Sequence, residues 1–395
     1  MTKPIFNVVC CFIWVHVVLA QKTTFKTGKP ISKTYYAEIA YEDVGGKLII
    51  PVTIQNTTYR FLFDTGAPNV ISEDLAKDIN ARITQSISVS DANQKRQRMR
   101  IVTLPQLTMA NVSFKNTSAL VFEKAQNLVF DCFQIDGIIG SNLLRHSVVQ
   151  IQPKNKLIIV TNYRRKLELN AHKGVELMLR GDQSSPYVSI SLKGSKTAKE
   201  EVLIDTGASG FYDMCHTNYQ LMKDHEIVQT YASGSGTSSI GLFGNAEHFL
   251  QYQVHIPQLE LDGHAFKNVS TTTSSDNNSR LGSDILKYGN ITLDFKRKRF
   301  YFDPFDDETD VTKLDFGFTP TIANNKLIVG VVWEDHLKDI IKAGDEIIKV
   351  NDMDYSKLNI CDVITGDSPF RTFQTVDITF KTAMGKIISL TLEKH

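Results

Sequence analysis

An internal repeat constrains this sequence more than any other feature. Residues from about 46 to 302 contain two copies of one series of landmarks, in the same order. Each copy has an apolar run ending in Asp-Thr-Gly-Ala, then Pro-Gln-Leu, Phe-Lys-Asn, a Gly-Ser element, and a basic turn before a closing apolar strand. Five ordered landmarks make chance similarity implausible, and two copies of this length are not solenoid units. The repeat therefore predicts two homologous lobes, residues 44–165 (the first lobe) and 166–304 (the second lobe).

Both lobes have the residue pattern of a mainly β protein. Short runs rich in Val, Ile, Thr, Tyr and Phe are interrupted by Gly, Asn, Asp and Pro, which is typical of strands joined by turns. The clearest predicted strands are residues 47–54, 59–63, 187–192 and 201–204. Three short helices are predicted at residues 72–79, 141–145 and 283–287, each with a serine as its N-cap.

The Asp-Thr-Gly loops supply the candidate catalytic residues. A water that attacks a peptide carbonyl needs a base to take its proton and an acid to polarise the carbonyl, and two carboxylates sharing one proton provide both. Glycine permits a sharp turn there, and each threonine hydroxyl can bond across to the partner loop. The candidates are Asp64 with Thr65 and Gly66 in the first lobe, and Asp205 with Thr206 and Gly207 in the second lobe.

A second element follows each loop after about 75 residues, and it ends in glycine. With the two Asp-Thr-Gly loops, this arrangement resembles the pepsin and retropepsin clan of aspartic proteases, and the lobes look most like the bacterial retropepsin-like type. The resemblance covers about 260 of the 395 residues. It implies a fold of two β lobes, hydrolysis of polypeptides without a cofactor or metal, and a dyad of Asp64 and Asp205. The residues of the second element are Ile138, Ile139 and Gly140, then Leu281 and Gly282.

Three features depart from that clan. Arg280 stands before Leu281, where an apolar residue is usual, and no tyrosine occurs between Ile79 and Leu107 to serve at the tip of a flap. The second lobe is longer by about eleven residues, and its Gly- and Ser-rich residues 233–244 predict a mobile hairpin or loop. The basic residues 94–100 of the first lobe predict a solvated hairpin.

The C-terminal part predicts a third unit. An acidic linker, residues 305–312, precedes residues 313–395, where a strand at 326–332 and a helix at 335–342 lead into Ala-Gly-Asp-Glu-Ile-Ile-Lys-Val-Asn-Asp. This run is similar to PDZ domains, a resemblance that implies a small α/β barrel. It also implies that the domain binds C-terminal peptides by strand addition, with Gly317 and Phe318 as the carboxylate-binding loop. A packed accessory domain without a ligand is the alternative.

The N-terminus predicts export. Lys3, an apolar run and Ala20 form a signal peptide over residues 1–20, with a retained anchor as the alternative. Residues 21–43 are a propeptide, a linker or a first edge strand. The remaining Cys132, Cys215 and Cys361 allow one disulfide or none.

The net charge and the lengths of the apolar runs bear on two further function classes, nucleic-acid binding and membrane insertion. A formal net charge of +1 gives no basic surplus for nucleic acid, and no later apolar run is long enough to span a membrane. We expect an exported, periplasmic or secreted aspartic endopeptidase that acts on polypeptides and builds its site as a monomer. The alternative is a catalytically silent scaffold that binds peptides or proteins through the PDZ-like domain. Intact Thr-Gly loops favour the enzyme.

Overall fold

The computed structural model describes residues 24–123, 127–167, 169 and 174–395. Most of these residues lie in four large sheets, which confirms the prediction of a mainly β protein. The predicted signal peptide lies outside the described residues. In the ranges given, no helix is long and apolar enough to cross a membrane.

The first lobe contains a nine-stranded sheet with an apolar cluster on each face. Strand Lys47–Ile54 shows why: alternate side chains from Leu48 to Ile54 enter the main core, whereas Ile49 faces the opposite cluster. The strands are Lys29–Pro30, Glu42–Val44, Lys47–Ile54, Thr57–Phe63, Val70–Ser72, Arg82–Ser90, Arg96–Met109, Val112–Phe122 and Gly137–Ile139.

The second lobe contains a nine-stranded sheet with the same central pairing. In the first lobe, Gly137–Ile139 runs parallel to the end of Thr57–Phe63; in the second, Arg280–Leu281 runs parallel to the end of Thr197–Ile204. A two-stranded ribbon, Ile240–Gly241 with Gly244–Asn245, stands apart from this sheet. The nine strands are Met178–Arg180, Ser185–Lys193, Thr197–Ile204, Tyr212–Cys215, Gln229–Gly236, Phe249–Leu261, His264–Ser274, Arg280–Leu281 and Thr309–Asp310.

A six-stranded sheet joins the two lobes. Val148–Gln152 of the first lobe pairs with Gly289–Asp294 of the second lobe, so one hydrogen-bonded sheet runs across the junction between the lobes. Tyr36–Ala40, from the segment that the sequence left open, forms an edge strand of this sheet and buries Ala37 and Ile39. The remaining strands are Leu157–Thr161, Val175–Glu176 and Arg299–Pro304.

The C-terminal domain has its own six-stranded sheet and its own apolar core. The predicted strand Lys326–Val332 is present, whereas the predicted helix is shorter and ends at Lys338. The predicted linker is partly a strand, because Thr309–Asp310 pairs with the second lobe. The six strands are Phe318–Ala323, Lys326–Val332, Glu346–Val350, Met353–Asp354, Thr375–Lys381 and Ile387–Glu393.

Helices in the described ranges are short. They are Glu73–Asp78, Leu128–Cys132, Ser141–Leu144, His216–Asp224, Asp335–Lys338, Ile360–Thr365 and Pro369–Thr372, with 3₁₀ turns Pro153–Asn155, Arg164–Lys166, Ser283–Lys287 and Tyr355–Lys357. Ser72 caps the first helix as predicted, since its side chain accepts from Leu75 N–H. The predicted serine caps at 141 and 283 are wrong, because the preceding glycines are the caps. Both serine N–H groups instead donate to the catalytic loops.

A disulfide between Cys132 and Cys361 joins the first lobe to the C-terminal domain. It links helix Leu128–Cys132 to helix Ile360–Thr365, and Cys215 is left as a buried free thiol. This is the first of the two possibilities that the sequence left open. The bond therefore closes a long loop that contains the whole second lobe.

Removing this disulfide is expected to weaken the attachment of the C-terminal domain. Because the bond closes a loop of 229 residues, the Cys361→Ser variant is expected to lose about 2–4 kcal/mol of unfolding free energy. Guanidinium denaturation followed by the fluorescence of Trp333, a buried side chain of that domain, measures the loss. A reducing agent should reproduce the effect in the wild type and add nothing in the variant. Equal midpoints for the wild type and variant would contradict the expectation.

Candidate active site

The two Asp-Thr-Gly loops are held by the strands that the repeat predicts. Asp64 N–H donates to Ile139 C=O at 3.0 Å, and Asp205 N–H donates to Leu281 C=O at 2.9 Å. Each aspartate thus begins its turn at the end of a buried strand that is fixed by a parallel neighbour. The same bond in both lobes gives the two loops equivalent positions.

The glycine of each second element permits a close backbone approach. A Cβ atom on Gly140 would collide with the backbone of Ala67 and Pro68, and one on Gly282 would collide with the Gly210 carbonyl. In the first lobe, Ser141 N–H then donates to Ala67 C=O at 3.0 Å. The glycine therefore brings a helix start directly against the catalytic loop.

The two threonines lock the loops together by reciprocal hydrogen bonds. Thr65 Oγ1 donates to Ile204 C=O at 2.6 Å and accepts from Thr206 N–H at 3.1 Å. Thr206 Oγ1 donates to Phe63 C=O at 2.9 Å and accepts from Thr65 N–H at 3.1 Å. Both side chains are buried, so each of these polar groups has a partner inside the protein.

Each carboxylate of the candidate dyad lies against the glycine of the opposite Asp-Thr-Gly loop. Asp64 Oδ1 accepts from Gly66 N–H at 2.8 Å and from Ala67 N–H at 3.1 Å, and Asp205 Oδ1 accepts equivalent bonds in its own loop. A Cβ on Gly66 would collide with the Asp205 carboxylate, and one on Gly207 would collide with that of Asp64. Glycine at both positions is thus required for the two carboxylates to share one site.

Burial and the neighbouring Asp205 raise the pKa of Asp64 to about 7, although its backbone hydrogen bonds and Lys47 act in the opposite direction. Two close carboxylates cannot both ionise easily, so one keeps its proton. At pH below about 7 this arrangement holds a proton on the dyad. The site therefore contains the acid and the base that carbonyl chemistry requires.

Two cationic side chains border the dyad. Arg280 Nη1 donates to Asp205 Oδ2 at 3.1 Å, and its Nη2 pairs with Asp276. Lys47 Nζ donates to Gly207 C=O and to Ser209 Oγ at 3.0 Å. The sequence indicated an arginine in an apolar position but not its ion pair with Asp205. Lys47 was missed altogether, because it looks like an ordinary polar residue at the start of a strand.

A hairpin of the first lobe contacts Asp276, the ion-pair partner of Arg280, through Gln94 Nε2 at 3.3 Å. This flap hairpin consists of Arg82–Ser90 and Arg96–Met109 with a turn at residues 91–95. Its Arg96 and Arg98 are exposed as predicted, but Met99 is buried and Arg100 pairs with Glu73. The hairpin is therefore only partly solvated.

The Gly-rich segment of the second lobe meets the turn of the flap hairpin. Phe243 N–H donates to Asp91 Oδ2 at 2.8 Å, and Asn93 Nδ2 donates to Gly244 C=O at 2.9 Å. Phe243 also stacks on Phe122. The sequence predicted a mobile hairpin or loop that is not core, whereas this segment packs against the first lobe. The two lobes thus touch at the turn of the flap hairpin.

An apolar cluster lies beneath the flap hairpin. Ile138 and Leu62 belong to it, and Ile87 and Val89 of the hairpin pack on it. Ile364 of the C-terminal domain packs on the same cluster. The buried members are Ile49, Leu62, Val70, Met99, Ile101, Leu120, Phe122, Phe130, Phe133, Ile135 and Ile138.

The predicted PDZ loop residues lie far along the chain, in the C-terminal domain. Gly317 has a φ of 75°, and its N–H donates to Asp315 Oδ1 at 2.7 Å. Phe318 is buried against Phe370 and Phe380. Among the residues described, no group of three His, Cys, Asp or Glu side chains is arranged to hold a metal ion.

The match to a known protein family falls within the first lobe. Residues 50–143 match the family model described as aspartyl protease, a segment that contains both Asp64 and Gly140. The chain is similar to a retropepsin-like aspartic protease from Rickettsia conorii, with 19% identity, a TM-score of 0.26, and coverage of 33% of this chain and 94% of that one. It is also similar to an aspartic proteinase from Irpex lacteus, with 12% identity, a TM-score of 0.44, and coverage of 70% and 99%. No curated protein matches the chain.

Loss of one threonine hydroxyl is expected to destabilise both loops. Thr206→Val leaves the buried Thr65 N–H without its acceptor, and the unfolding free energy should fall by about 1–3 kcal/mol. Chemical denaturation measures this, and Thr206→Ser, which keeps the hydroxyl, serves as the control. A valine variant as stable as the serine variant would show that the reciprocal bonds add nothing.

Proposed function

We propose that this chain is an aspartic endopeptidase in which Asp64 and Asp205 activate one water molecule against a peptide carbonyl. The observation that carries the proposal is the reciprocal locking of two Asp-Thr-Gly loops, which brings both carboxylates to one place. The aspartyl protease match over residues 50–143 supports it independently for the first lobe.

The dyad has the parts for a complete proton cycle. The ionised carboxylate takes a proton from the water as its oxygen bonds to the carbonyl carbon, and the protonated carboxyl gives its proton to the carbonyl oxygen. The resulting tetrahedral diol collapses when the C–N bond breaks. One of its hydroxyls returns a proton to the dyad, and the amine nitrogen receives the proton that the dyad took from the water. The raised pKa of Asp64 makes it the proton donor of the first step.

The proposed substrates are polypeptides that enter beneath the flap hairpin. The partly buried Ile87 and Val89 of the hairpin would contact an apolar side chain near the scissile bond, since burying such a side chain contributes about 1.5–3 kcal/mol. Entry requires the contacts of Asp91 and Asn93 with the second lobe to open. Since one chain supplies both loops, we propose a monomer as the catalytic unit.

We also propose that the protein is exported to the periplasm or secreted. The Cys132–Cys361 disulfide supports this, because such bonds persist in oxidising compartments. The signal-peptide pattern of residues 1–20 supports the same location.

For the C-terminal domain we propose a PDZ-like fold with a peptide partner. Its strand Phe318–Ala323 lies at the edge of the sheet, where a peptide adds in domains of this kind. A ligand carboxylate at the Gly317 N–H would have to replace the carboxylate of Asp315. Peptide binding therefore requires a rearrangement of this loop.

Replacing either dyad aspartate should abolish cleavage. Asp64→Asn and Asp205→Asn each remove a required carboxylate, so the rate of cleavage of unfolded casein should fall by at least about 10²-fold. Asp335→Asn, at an almost fully exposed side chain, is the matched control and should cleave like the wild type. If the wild type and both dyad variants behave alike at every pH, the protein is the silent scaffold instead.

The pH dependence of cleavage should show a limit close to neutrality. Burial and Asp205 raise the pKa of Asp64 to about 7, so the dyad keeps its proton below that pH and loses it above. We expect kcat/KM to fall about tenfold per pH unit above pH 7. Peptide cleavage measured from pH 3 to 9 tests this. A decline that begins near pH 5 would contradict it.

A further inference from the structure

Arg280 occupies the position of the second lobe that corresponds to Ile138 in the first lobe. Arg280 pairs with Leu203 across two parallel strands, as Ile138 pairs with Leu62. Ile138 joins the apolar cluster under the flap hairpin, whereas Arg280 places a charge beside the dyad with only 9% of its surface exposed. The two copies of the repeat thus differ in residue type at a strand position next to the Asp-Thr-Gly loops.

The Arg280 guanidinium is shared between two carboxylates. Nη1 donates to Asp205 Oδ2 at 3.1 Å, and Nη2 pairs with Asp276, whose side chain is equally buried. Asp276 also accepts from Gln94 Nε2 in the flap turn, at 3.3 Å. A buried guanidinium needs such partners, because removing one member of a buried ion pair leaves the other charge buried without compensation.

The two aspartates differ in the hydrogen-bond donors that contact their carboxylate oxygens, and this difference decides which of them can carry a proton. Asp205 Oδ1 accepts two backbone N–H groups, and its Oδ2 accepts from a guanidinium that has only donors and stays protonated. A proton on Asp205 would therefore meet a donor at either oxygen. Asp64 Oδ1 likewise accepts two N–H groups, but its Oδ2 faces Gly207.

We propose that Arg280 is a positioning residue that keeps Asp205 ionised and leaves the single proton of the dyad on Asp64. This inference rests on the proposed peptidase function and makes Asp205 the base and Asp64 the acid of that reaction. Asp276 is the second carboxylate partner of Arg280.

The other charged groups around the dyad do not make this distinction. Lys47 acts on Asp64 and Asp205 together, so its charge favours ionisation of both. The remaining groups that face Asp205, Arg280 or Lys47 are Tyr187 and Asp213 of the second lobe and Arg371 of the C-terminal domain. Asp284 and Lys313 act on Asp213. The contact of Arg280 with Asp205 is what separates the two carboxylates.

The test is the pH profile of peptide cleavage by Arg280→Leu. Loss of the counter-charge should move the acidic limb of kcat/KM upward by at least about one pH unit, because Asp205 must ionise to accept the proton of the water. The alkaline limb should move less. Arg280→Lys keeps a charge and should keep the acidic limb near that of the wild type. Arg180→Leu, which removes a half-exposed pair with Glu201, is the matched control.

A second readout does not depend on cleavage. ¹³C NMR of labelled aspartate carboxyl groups, with the Asp205 signal assigned by its loss in Asp205→Asn, follows ionisation directly. An Asp205 titration that is unchanged in Arg280→Leu overturns the inference, even in an inactive protein. A shifted titration without any peptide cleavage supports the inference and instead rejects the peptidase function.

A third variant covers the case in which Arg280→Leu does not fold. Asp276→Asn leaves Arg280 in place with Asp205 as its remaining carboxylate partner from these two ion pairs. Its acidic limb and its Asp205 titration should then move downward. No movement in either measurement would overturn the inference.

Discussion

The rest of the structure depends on four hydrogen bonds between the two catalytic loops. Thr65 and Thr206 each donate a hydroxyl proton across the pseudo-twofold junction and accept a backbone N–H from the opposite loop. Because both residues are buried, breaking these bonds inside the fold would leave two N–H groups and two hydroxyls without these partners. The lobes are further held by a sheet that contains strands of both. Rigid loops of this kind keep two like charges close, which the charges alone would oppose.

The symmetry of these loops contrasts with the asymmetry of their surroundings. Ile138 of the first lobe and Arg280 of the second lobe occupy equivalent strand positions, yet one packs in an apolar cluster and the other contacts Asp205. Burial raises the pKa of Asp64, while an ionised Asp205 has a counter-ion within hydrogen-bonding distance. Equivalent residues thus acquire different chemistry from their neighbours, since acid and base roles follow from environment.

The site is also enclosed by parts of the chain that lie far apart in sequence. The flap turn contacts residues 239–244 of the second lobe, and Ile364 of the C-terminal domain packs on the cluster beneath the flap hairpin. The disulfide between Cys132 and Cys361 fixes that last contact to the first lobe. The C-terminal domain therefore packs on the apolar cluster of the first lobe, and it is also the proposed peptide-binding module.

The sequence by itself determined the repeat, the mainly β class, the Asp-Thr-Gly loops and the glycines that approach them. These features are local or periodic, so they can be read from residue type and spacing. Tertiary structure decided the rest. The Arg280–Asp205 pair depends on parallel strand register, and the serine caps at 141 and 283 failed because each preceding glycine already meets a catalytic loop. The disulfide and the packing of residue 364 depend on how the C-terminal domain packs against the first lobe. Local residue patterns do not predict such a contact between distant segments of the chain.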